Sequence, residues 1–285
     1  ATPTAEWFRS TCAAELARAG QWLDRAGADR DEAVHEARKC VRRVRAWLRL
    51  LDSDHRQMIN AIDQGLRQAR RLLGPLRDAA SRIEALDELG ARRGFKGMRP
   101  VFAILHGRLH AALGRCWKRR PVGGRAWRTV RAEIDVLAGA IAGWSLATVS
   151  DSELRRGFAR AWRRARAGKI ESLGARGAGL RHRWRGRVRV LLLQAQLLAT
   201  RGAVDGLPEL KALSEALGHE HDLALVATAL RRMRPRADTE EALIVAAEAL
   251  RLEAAACSDR LARRVLRRGR RPRWSRGGEA VRGGW

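Results

Sequence analysis

The sequence lacks any long run of uncharged apolar residues. A helix that crosses a membrane needs about 18 or more of them in a row, and no stretch approaches that length. No apolar segment of the kind found in signal peptides opens the sequence. These absences predict a cytoplasmic protein without a transmembrane segment. A membrane-surface role stays open, because basic amphipathic helices also bind anionic lipid.

Cysteine is scarce and widely spaced. The four cysteines are Cys12, Cys40, Cys116 and Cys257, and each lies in a segment with helical periodicity. No pair has the spacing of a metal site or a redox motif, and a chain of this length needs no disulfides. Reduced, buried cysteines are therefore expected.

Motifs for phosphate chemistry are also missing. No Gly-rich loop ending in Gly-Lys-Ser/Thr is present, which argues against a nucleotide site of that class. No carboxylate cluster suggests bound Mg²⁺, which phosphoryl-transfer enzymes generally need. We therefore predict a protein that is not an enzyme and carries no cofactor or metal. Scattered carboxylates such as Asp78 and Asp222 could still converge in the fold, which leaves a hydrolase as an alternative.

Acidic residues are few relative to basic ones. The chain has 58 Lys plus Arg against 31 Asp plus Glu, a formal net charge of +27, and five of the basic residues are lysines. Such an excess destabilises a compact state by self-repulsion, so an anionic partner is expected. Arginine grips phosphate well through two parallel hydrogen bonds. A coding bias explains the choice of arginine over lysine equally well, but it does not explain the net charge.

The sequence shows helical periodicity and no convincing alternating strand. Gly and Pro clusters, among them Gly74-Pro75, Gly168 to Gly179 and Gly202 to Pro208, separate the apolar-periodic segments. Those segments are 5–26, 30–51, 53–73, 76–92, 98–119, 125–142, 151–167, 180–200, 208–217, 220–233 and 238–268. Lengths of this order joined by short loops predict an all-α fold of helical bundles.

Two short patterns recur in the same order. A histidine opens a basic helix at His35 and again at His182, 147 residues later. The pattern Leu-Gly-x-x-x-Asp begins at Leu73 and again at Leu217, 144 residues later. Recurrence of both elements at nearly one offset indicates an internal repeat. It predicts helical bundles at 1–147 and 148–268, followed by a basic, flexible tail at 269–285 that has no apolar periodicity.

The helix at 34–51 has two sharply separated faces. Its apolar face is about 100° wide and consists of Val34, Ala37, Val41, Val44, Leu48 and Leu51. A basic stripe about 80° wide adjoins the apolar face. The stripe consists of His35, Arg38, Arg42, Arg45 and Arg49, and Lys39 lies close beside it. Glu36 alone stands nearby in the helix, whereas a solvated face normally mixes signs. Because like charges at this spacing destabilise a helix, the stripe is interpreted as an anion-binding surface.

Lesser groups repeat or extend this stripe. The second copy contains His182, Arg185 and Arg189, but it is neutral at its far end, where Leu192 and Gln196 stand. A third line consists of Arg156, Arg160 and Arg163, and a shorter cluster of Arg67, Arg70 and Arg71. For these groups a solvated face and an anion-binding face are equally good interpretations.

The histidines divide into two sets. His35 and His182 each open a basic stripe at the same relative position, which favours contact with a ligand over simple packing. Neither has a Cys, Asp or Glu at metal spacing, so no metal site is predicted. His219 and His221 flank Glu220 in the second Leu-Gly-x-x-x-Asp pattern, and a capping or loop role is predicted for them.

These residues resemble the CHAD domain, the conserved histidine α-helical domain. The resemblance rests on HEARKCVRRVRAWLRLL, GPLRD, HRWRGRVR and LGHEHDLALV, which begin at His35, Gly74, His182 and Leu217, and it extends to about residue 268. It implies two pseudo-symmetric helical bundles that enclose a basic central groove or pore, and binding of inorganic polyphosphate, often at polyphosphate granules. The ligand contacts it implies are His35, Arg38, Lys39, Arg42, Arg45, Arg49, Arg77, His182, Arg185 and Arg189. The family usually has a basic and then an aromatic residue where Leu192 and Leu193 stand, which leaves open whether both halves grip the ligand equally.

The predicted function is therefore non-catalytic binding of polyphosphate. Arg67, Arg156, Arg160 and Arg163 are further predicted contacts. Nucleic-acid binding is the other alternative, since the charge permits it, but no known reading motif appears. The chain has ten Trp, four Phe and no Tyr, and they are not interleaved with the stripes as stacking platforms would require. Trp162 and Trp184 are predicted to lie on core faces.

Overall fold

The structure is a computed structural model that describes residues 3–27, 29–91, 99–146, 149–173, 178–232, 238–267 and 273–276. Over these ranges the α-helices are α1 (Thr4–Asp24), α2 (Arg30–Trp47), α3 (Arg56–Gly90), α4 (Arg99–Arg119), α5 (Arg125–Ala142), α6 (Asp151–Leu173), α7 (Ala178–Leu198), α8 (Leu207–Arg232) and α9 (Asp238–Val265). Two 3₁₀ turns, Leu48–Leu50 and Ser53–His55, link α2 to α3. The predicted all-α class is confirmed.

A small two-stranded sheet was not predicted. β1 (Gly202–Val204) pairs antiparallel with β2 (Trp274–Arg276). A strand of three residues is too short to show the alternation by which a strand is recognised in sequence. β2 and the preceding Arg273 belong to the predicted tail, whose remaining residues lie outside the described ranges. The predicted boundary at residue 147 also lies outside them.

The helix break predicted at Gly74-Pro75 is wrong, because both residues lie inside α3. Proline in a helix interior removes one hydrogen bond and costs about 3 kcal/mol. Here the apolar face continues through the proline, with Leu73 and Leu76 both buried, and each buried leucine contributes about 1.5–3 kcal/mol. Burial on both sides therefore outweighs the proline. The break predicted after Leu217 is wrong for the same reason, since α8 continues through Gly218 to buried Leu223.

Four helices form the centre of the molecule. α2 packs on α3 and α7, and α8 packs on the same two helices, which makes a closed ring of contacts. The other helices pack outside this ring: α1 on α2, α4 on α3, α6 on α7 and α9 on α8, with α5 against α1 and α3. Each half thus contributes two central helices in the order of the sequence repeat. A symmetric relation between the halves stays a prediction.

Hydrogen bonds tie the two histidine-led helices together. Trp47 Nε1 donates to the Leu193 carbonyl at 3.0 Å, and Gln194 Nε2 donates to the Ala46 carbonyl at 2.9 Å. Gln194 is fully buried. Because α2 and α7 pack directly on each other, basic residues of the two helices are brought close together.

Apolar packing divides into a large and a small core. The larger core joins both halves and contains residues of α1, α2, α5, α6 and α7 together with the first part of α3. The smaller core lies between the end of α3, α4, α8 and α9. Along α8 the change occurs between Leu217 and Leu223, and the polar residues Glu220, His221 and Asp222 lie in that interval.

Candidate anion-binding site

The helix α2 forms as its two-faced sequence predicts. Asp31 and Glu32 lie in its first turn, where negative charge stabilises a helix N-terminus. Val34, Ala37, Val41 and Val44 are at most 1% exposed and belong to the larger core. Burial of this face directs the basic stripe towards α3 and α7.

Arg42 lies at the centre of the site. Burial, and the positive charges of arginines on three helices, lower its pKa to about 9. Those arginines are Arg38 on α2, Arg70 on α3, and Arg185 and Arg189 on α7. We call these five residues the central arginine cluster. Like charges gathered out of water raise the free energy of the ligand-free protein, and a bound anion would reverse that effect.

The other members of the cluster are also partly removed from water. Burial lowers the pKa of Arg38, Arg70 and Arg189, and it lowers that of Arg185 to about 10. The Nε atoms of Arg38 and Arg185 are buried and have no hydrogen-bond partner among the described residues. Such donors are rare in folded proteins, so the protein itself leaves hydrogen-bonding groups of the cluster unsatisfied.

Two carboxylates lie against the cluster at equivalent positions of the repeat. Asp78 Oδ1 is 3.7 Å from Arg38 Nη2, and Asp222 lies beside Arg185 and Arg189. Burial raises the pKa of Asp222 although both arginines act to lower it. These two carboxylates leave the five arginines with a net positive charge.

A glycine makes room for one of these arginines. The Cβ of any other residue at Gly74 would lie 3.3 Å from Arg38 Nη1. Arg38 also donates to the Arg70 carbonyl at 3.4 Å. The Gly-Pro pair that suggested a helix break thus allows the Arg38 guanidinium to approach the α3 backbone.

Histidines flank the cluster on each side. Burial, together with Arg77 and Lys39, lowers the pKa of His35 to about 4. Burial, followed by Arg185, lowers the pKa of His182. The neutral forms are therefore favoured without ligand, with burial contributing more than the neighbouring charges.

His221 lies inside α8 and faces His182, so the predicted loop or capping position is wrong. The two Nδ1 atoms are 3.4 Å apart, and burial and neighbouring positive charge lower the pKa of His221 to about 4. In the repeat, His221 stands where Arg77 stands in the first copy, one residue before the aspartate. Comparison of the two copies could therefore have identified His221, because Arg77 was already a predicted contact.

Several predicted contacts have partners within the protein. Arg45 binds Asp63 at 2.6 Å, and Arg67 binds the same carboxylate at 2.5 Å. Arg77 binds Glu84 through two hydrogen bonds of 2.5 and 2.7 Å, and Lys39 pairs with Glu36. The stripe is thus less purely cationic than α2 alone suggests, since α3 supplies acids from across the contact. Arg49 lies exposed at the end of the stripe.

The arginines of α6 support the turn that follows the stripe. Arg156 binds Asp52 at 2.8 Å, and Arg160 pairs with Asp52 and donates to the Leu51 carbonyl at 2.9 Å. A side chain at Gly157 would collide with Leu50, whose carbonyl oxygen would lie 2.0 Å from the Cβ. α6 therefore fixes the end of α2 by close backbone contact. Arg163 is exposed on the same helix, and its role as a contact stays a prediction.

The described residues offer neither a cluster of metal ligands nor a membrane-spanning helix. Within the described ranges, no three His, Cys, Asp or Glu side chains come together in a way that could hold a metal ion. No described helix combines the length and apolar character that crossing a membrane requires.

Fold and site together define an all-α protein whose central helices gather arginines into one partly buried, positively charged cluster. The family model described as the CHAD domain matches residues 11–231. The chain belongs to the CHAD domain family. No curated protein matches the sequence.

Two solved structures share the fold. The crystal structure of the CHAD domain from the plant Ricinus communis has a TM-score of 0.58 at 18% identity, covering 96% of this chain and 95% of that chain. PptA from Streptomyces chartreusis has a TM-score of 0.60 at 17% identity, covering 94% of this chain and 100% of that chain. At such low identity the likeness concerns the fold alone.

Proposed function

We propose that the protein binds inorganic polyphosphate at the central arginine cluster and does not cleave it. The observation that carries this proposal is Arg42, half-buried against four other arginines from α2, α3 and α7. Arginine stays charged at neutral pH and donates paired hydrogen bonds to phosphate oxygens. A chain of phosphates would supply one negative charge after another along the cluster.

The shape of the site favours a thin polyanion over a duplex. The arginines of the cluster come from α2, α3 and α7, and α8 contributes Asp222 beside them. Because its arginines come from α2 and from the two helices that pack on α2, the cluster can contact a single phosphate chain from more than one side. Double-stranded DNA, whose major groove alone is about 12 Å wide, would reach only exposed residues near the cluster, such as Arg49 at the end of the stripe.

Single-stranded nucleic acid is the nearer competitor. Proteins that bind it combine a basic groove with aromatic side chains on which bases stack. Trp184 is fully buried and Trp162 is 7% exposed, so the predicted core positions of both are confirmed and neither offers such a platform. These two tryptophans therefore give no support for base recognition, and the arginines of the cluster support recognition through phosphate.

Competition binding tests the ligand. Labelled long-chain polyphosphate would be bound to the protein at moderate salt and displaced with unlabelled polyphosphate, duplex DNA or single-stranded DNA at equal phosphate concentration. We expect polyphosphate to compete best and its affinity to fall steeply as salt rises, as for other ligands held by many phosphate contacts. Equal or stronger competition by either DNA would overturn the proposal.

Two measurements test the remaining parts of the proposal. Incubation with polyphosphate and Mg²⁺ should release no phosphate above the blank, and turnover would make the protein a hydrolase. In cells, a fluorescent fusion should coincide with polyphosphate granules. An Arg42→Met fusion should lose that coincidence, whereas retention would mean that something other than the cluster directs the location.

A further inference from the structure

A cavity of about 290 Å³ lies between α7, α8 and the middle of α9, beside the central arginine cluster. It shares Arg185 with the cluster and has His182 and His221 on one wall. Leu217, Ala224 and Leu225 supply apolar surface. Small-molecule sites commonly occupy about 300–1,000 Å³, so the cavity suits a compact group and not a second length of polymer.

Charge is divided sharply within this cavity. In its wall, Arg181 binds both oxygens of Glu220, at 2.8 and 2.5 Å, and Asp259 at 2.6 Å. Arg251 binds Glu248 at 2.6 Å in the same way. These cations are matched by carboxylates of the protein, so this part of the wall offers no excess positive charge to an anion.

The side towards the cluster is different. Arg185 has a buried Nε without a hydrogen-bond partner among the described residues. Arg189 follows one turn later on α7, about 6 Å along the helix. The rings of His182 and His221 lie with centroids 4.8 Å apart at 42°, which exposes flat aromatic surface to the cavity. A ligand that fits both sides has phosphates at one end and an uncharged, flat organic group at the other.

We propose that this cavity holds the nucleoside of a nucleoside triphosphate whose phosphates lie on Arg185 and Arg189. The base packs between the histidine rings and the leucine side chains. The Thr228 hydroxyl, which donates to the Ala224 carbonyl at 2.7 Å, can accept a hydrogen bond from the edge of the base. This rests on the proposed function in one respect, which is that the cluster accepts phosphates. The cavity adds a preference for phosphates that carry a nucleoside.

The test compares two ligands of equal charge by isothermal titration calorimetry. ATP and methyl triphosphate present the same three phosphates, but only ATP carries a nucleoside. We expect ATP to bind about tenfold more tightly, which corresponds to about 1.4 kcal/mol. Equal affinities for ATP and methyl triphosphate would overturn this inference while leaving polyphosphate binding intact. Failure of polyphosphate itself to bind would instead overturn the proposed function.

A variant that fills the cavity locates the preference. Ala224→Phe should remove the advantage of ATP and leave the affinities for methyl triphosphate and long-chain polyphosphate unchanged. Ala249→Phe, at an exposed position of α9, is the matched control and should behave as the wild type. If Ala224→Phe does not fold, Thr228→Trp places a large ring at an exposed position on the rim. A folded cavity variant that keeps the ATP preference would overturn the assignment.

Discussion

Replacement of Arg42 by methionine should stabilise the ligand-free protein and weaken binding in the same variant. The lowering of the Arg42 pKa to about 9 corresponds to ~5 kcal/mol of unfavourable free energy for its charged form, at about 1.4 kcal/mol per pKa unit. Methionine keeps much of the side-chain packing and removes the charge. Replacement of buried charges by apolar groups of similar volume commonly stabilises proteins by about 1–4 kcal/mol.

We expect ~2 kcal/mol of stabilisation, because Arg42 keeps some contact with water and its neighbours can move. For a protein of this size each kcal/mol raises the melting temperature by about 2–4 °C, so Arg42→Met should melt roughly 4–8 °C higher. The assay is thermal unfolding followed by circular dichroism, with and without polyphosphate. Without ligand the variant should melt higher, and added polyphosphate should raise its melting temperature less than that of the wild type.

Arg71→Met provides the matched control, since Arg71 is exposed on α3. Its melting temperature should stay within about 1 °C of the wild type, because most surface substitutions change stability by less than about 0.5 kcal/mol. The reasoning would be refuted if Arg42→Met melted lower than the wild type, or if it bound polyphosphate with unchanged affinity. Either result would mean that Arg42 is an ordinary structural residue.

Three other predictions concern the site and its support. Replacement of Arg38, Arg42 and Arg49 together by Gln should abolish polyphosphate binding and leave the helical circular dichroism unchanged. The same change at Arg270, Arg271 and Arg273 should weaken binding only slightly. Equal losses of affinity would mean that polyphosphate binding depends on net charge and not on the position of the arginines. The affinity for polyphosphate should rise as pH falls from about 7 towards 4. Burial holds the pKa of His35 and His221 at about 4 without ligand, and a bound polyanion favours the protonated forms. In calorimetry, the affinity of a His35→Gln, His182→Gln, His221→Gln variant should therefore depend less on pH. Gly157→Ala should lower stability by about 1–3 kcal/mol, because the added Cβ would collide with the Leu50 backbone. Gly186→Ala, where nothing lies within 4 Å, should raise stability by about 0.5–1 kcal/mol. Similar effects of the two substitutions would show that α6 does not closely contact the turn at Leu50.

The pH prediction has a counterpart in stability. A histidine whose pKa is lower in the folded than in the unfolded protein favours the neutral form on folding. For His35 and His221 the ligand-free protein should therefore lose stability as pH falls from about 6.5 to about 4. Bound polyphosphate should reduce that loss, since it favours the same protons that destabilise the empty site.

The helical periodicity predicted the two faces of α2 correctly, because a core face and a basic face on one helix depend only on spacing within that helix. It failed where long-range packing decides. Pro75 and Gly218 are residues that commonly mark helix ends. α3 and α8 continue through them because the leucines on either side are buried in the core. The sequence pattern within one helix does not show which other helices it packs against.

The predicted site shows the same division. Arg38, Arg42, Arg185 and Arg189 were identified from spacing and repeat, and the structure brings them together. The ion pair between Arg45 and Asp63 could not be predicted from the periodicity of α2, because Asp63 lies 18 residues further along the chain, on α3. Arg156 and Arg160 were placed among the contacts for their charge, yet the structure engages both with Asp52 across more than 100 residues of sequence.

This division bears on what the net charge of +27 does. Arg45, Arg67, Arg77 and Arg181 each bind a carboxylate of the protein, so some of the basic residues contribute to the fold. Around Arg42 the arginines outnumber the two carboxylates, Asp78 and Asp222, that lie against them. The anion-binding capacity therefore depends on where acids are absent as much as on where arginines are present. It follows that one neutral substitution at Arg42 should affect binding more than the removal of several exposed charges elsewhere.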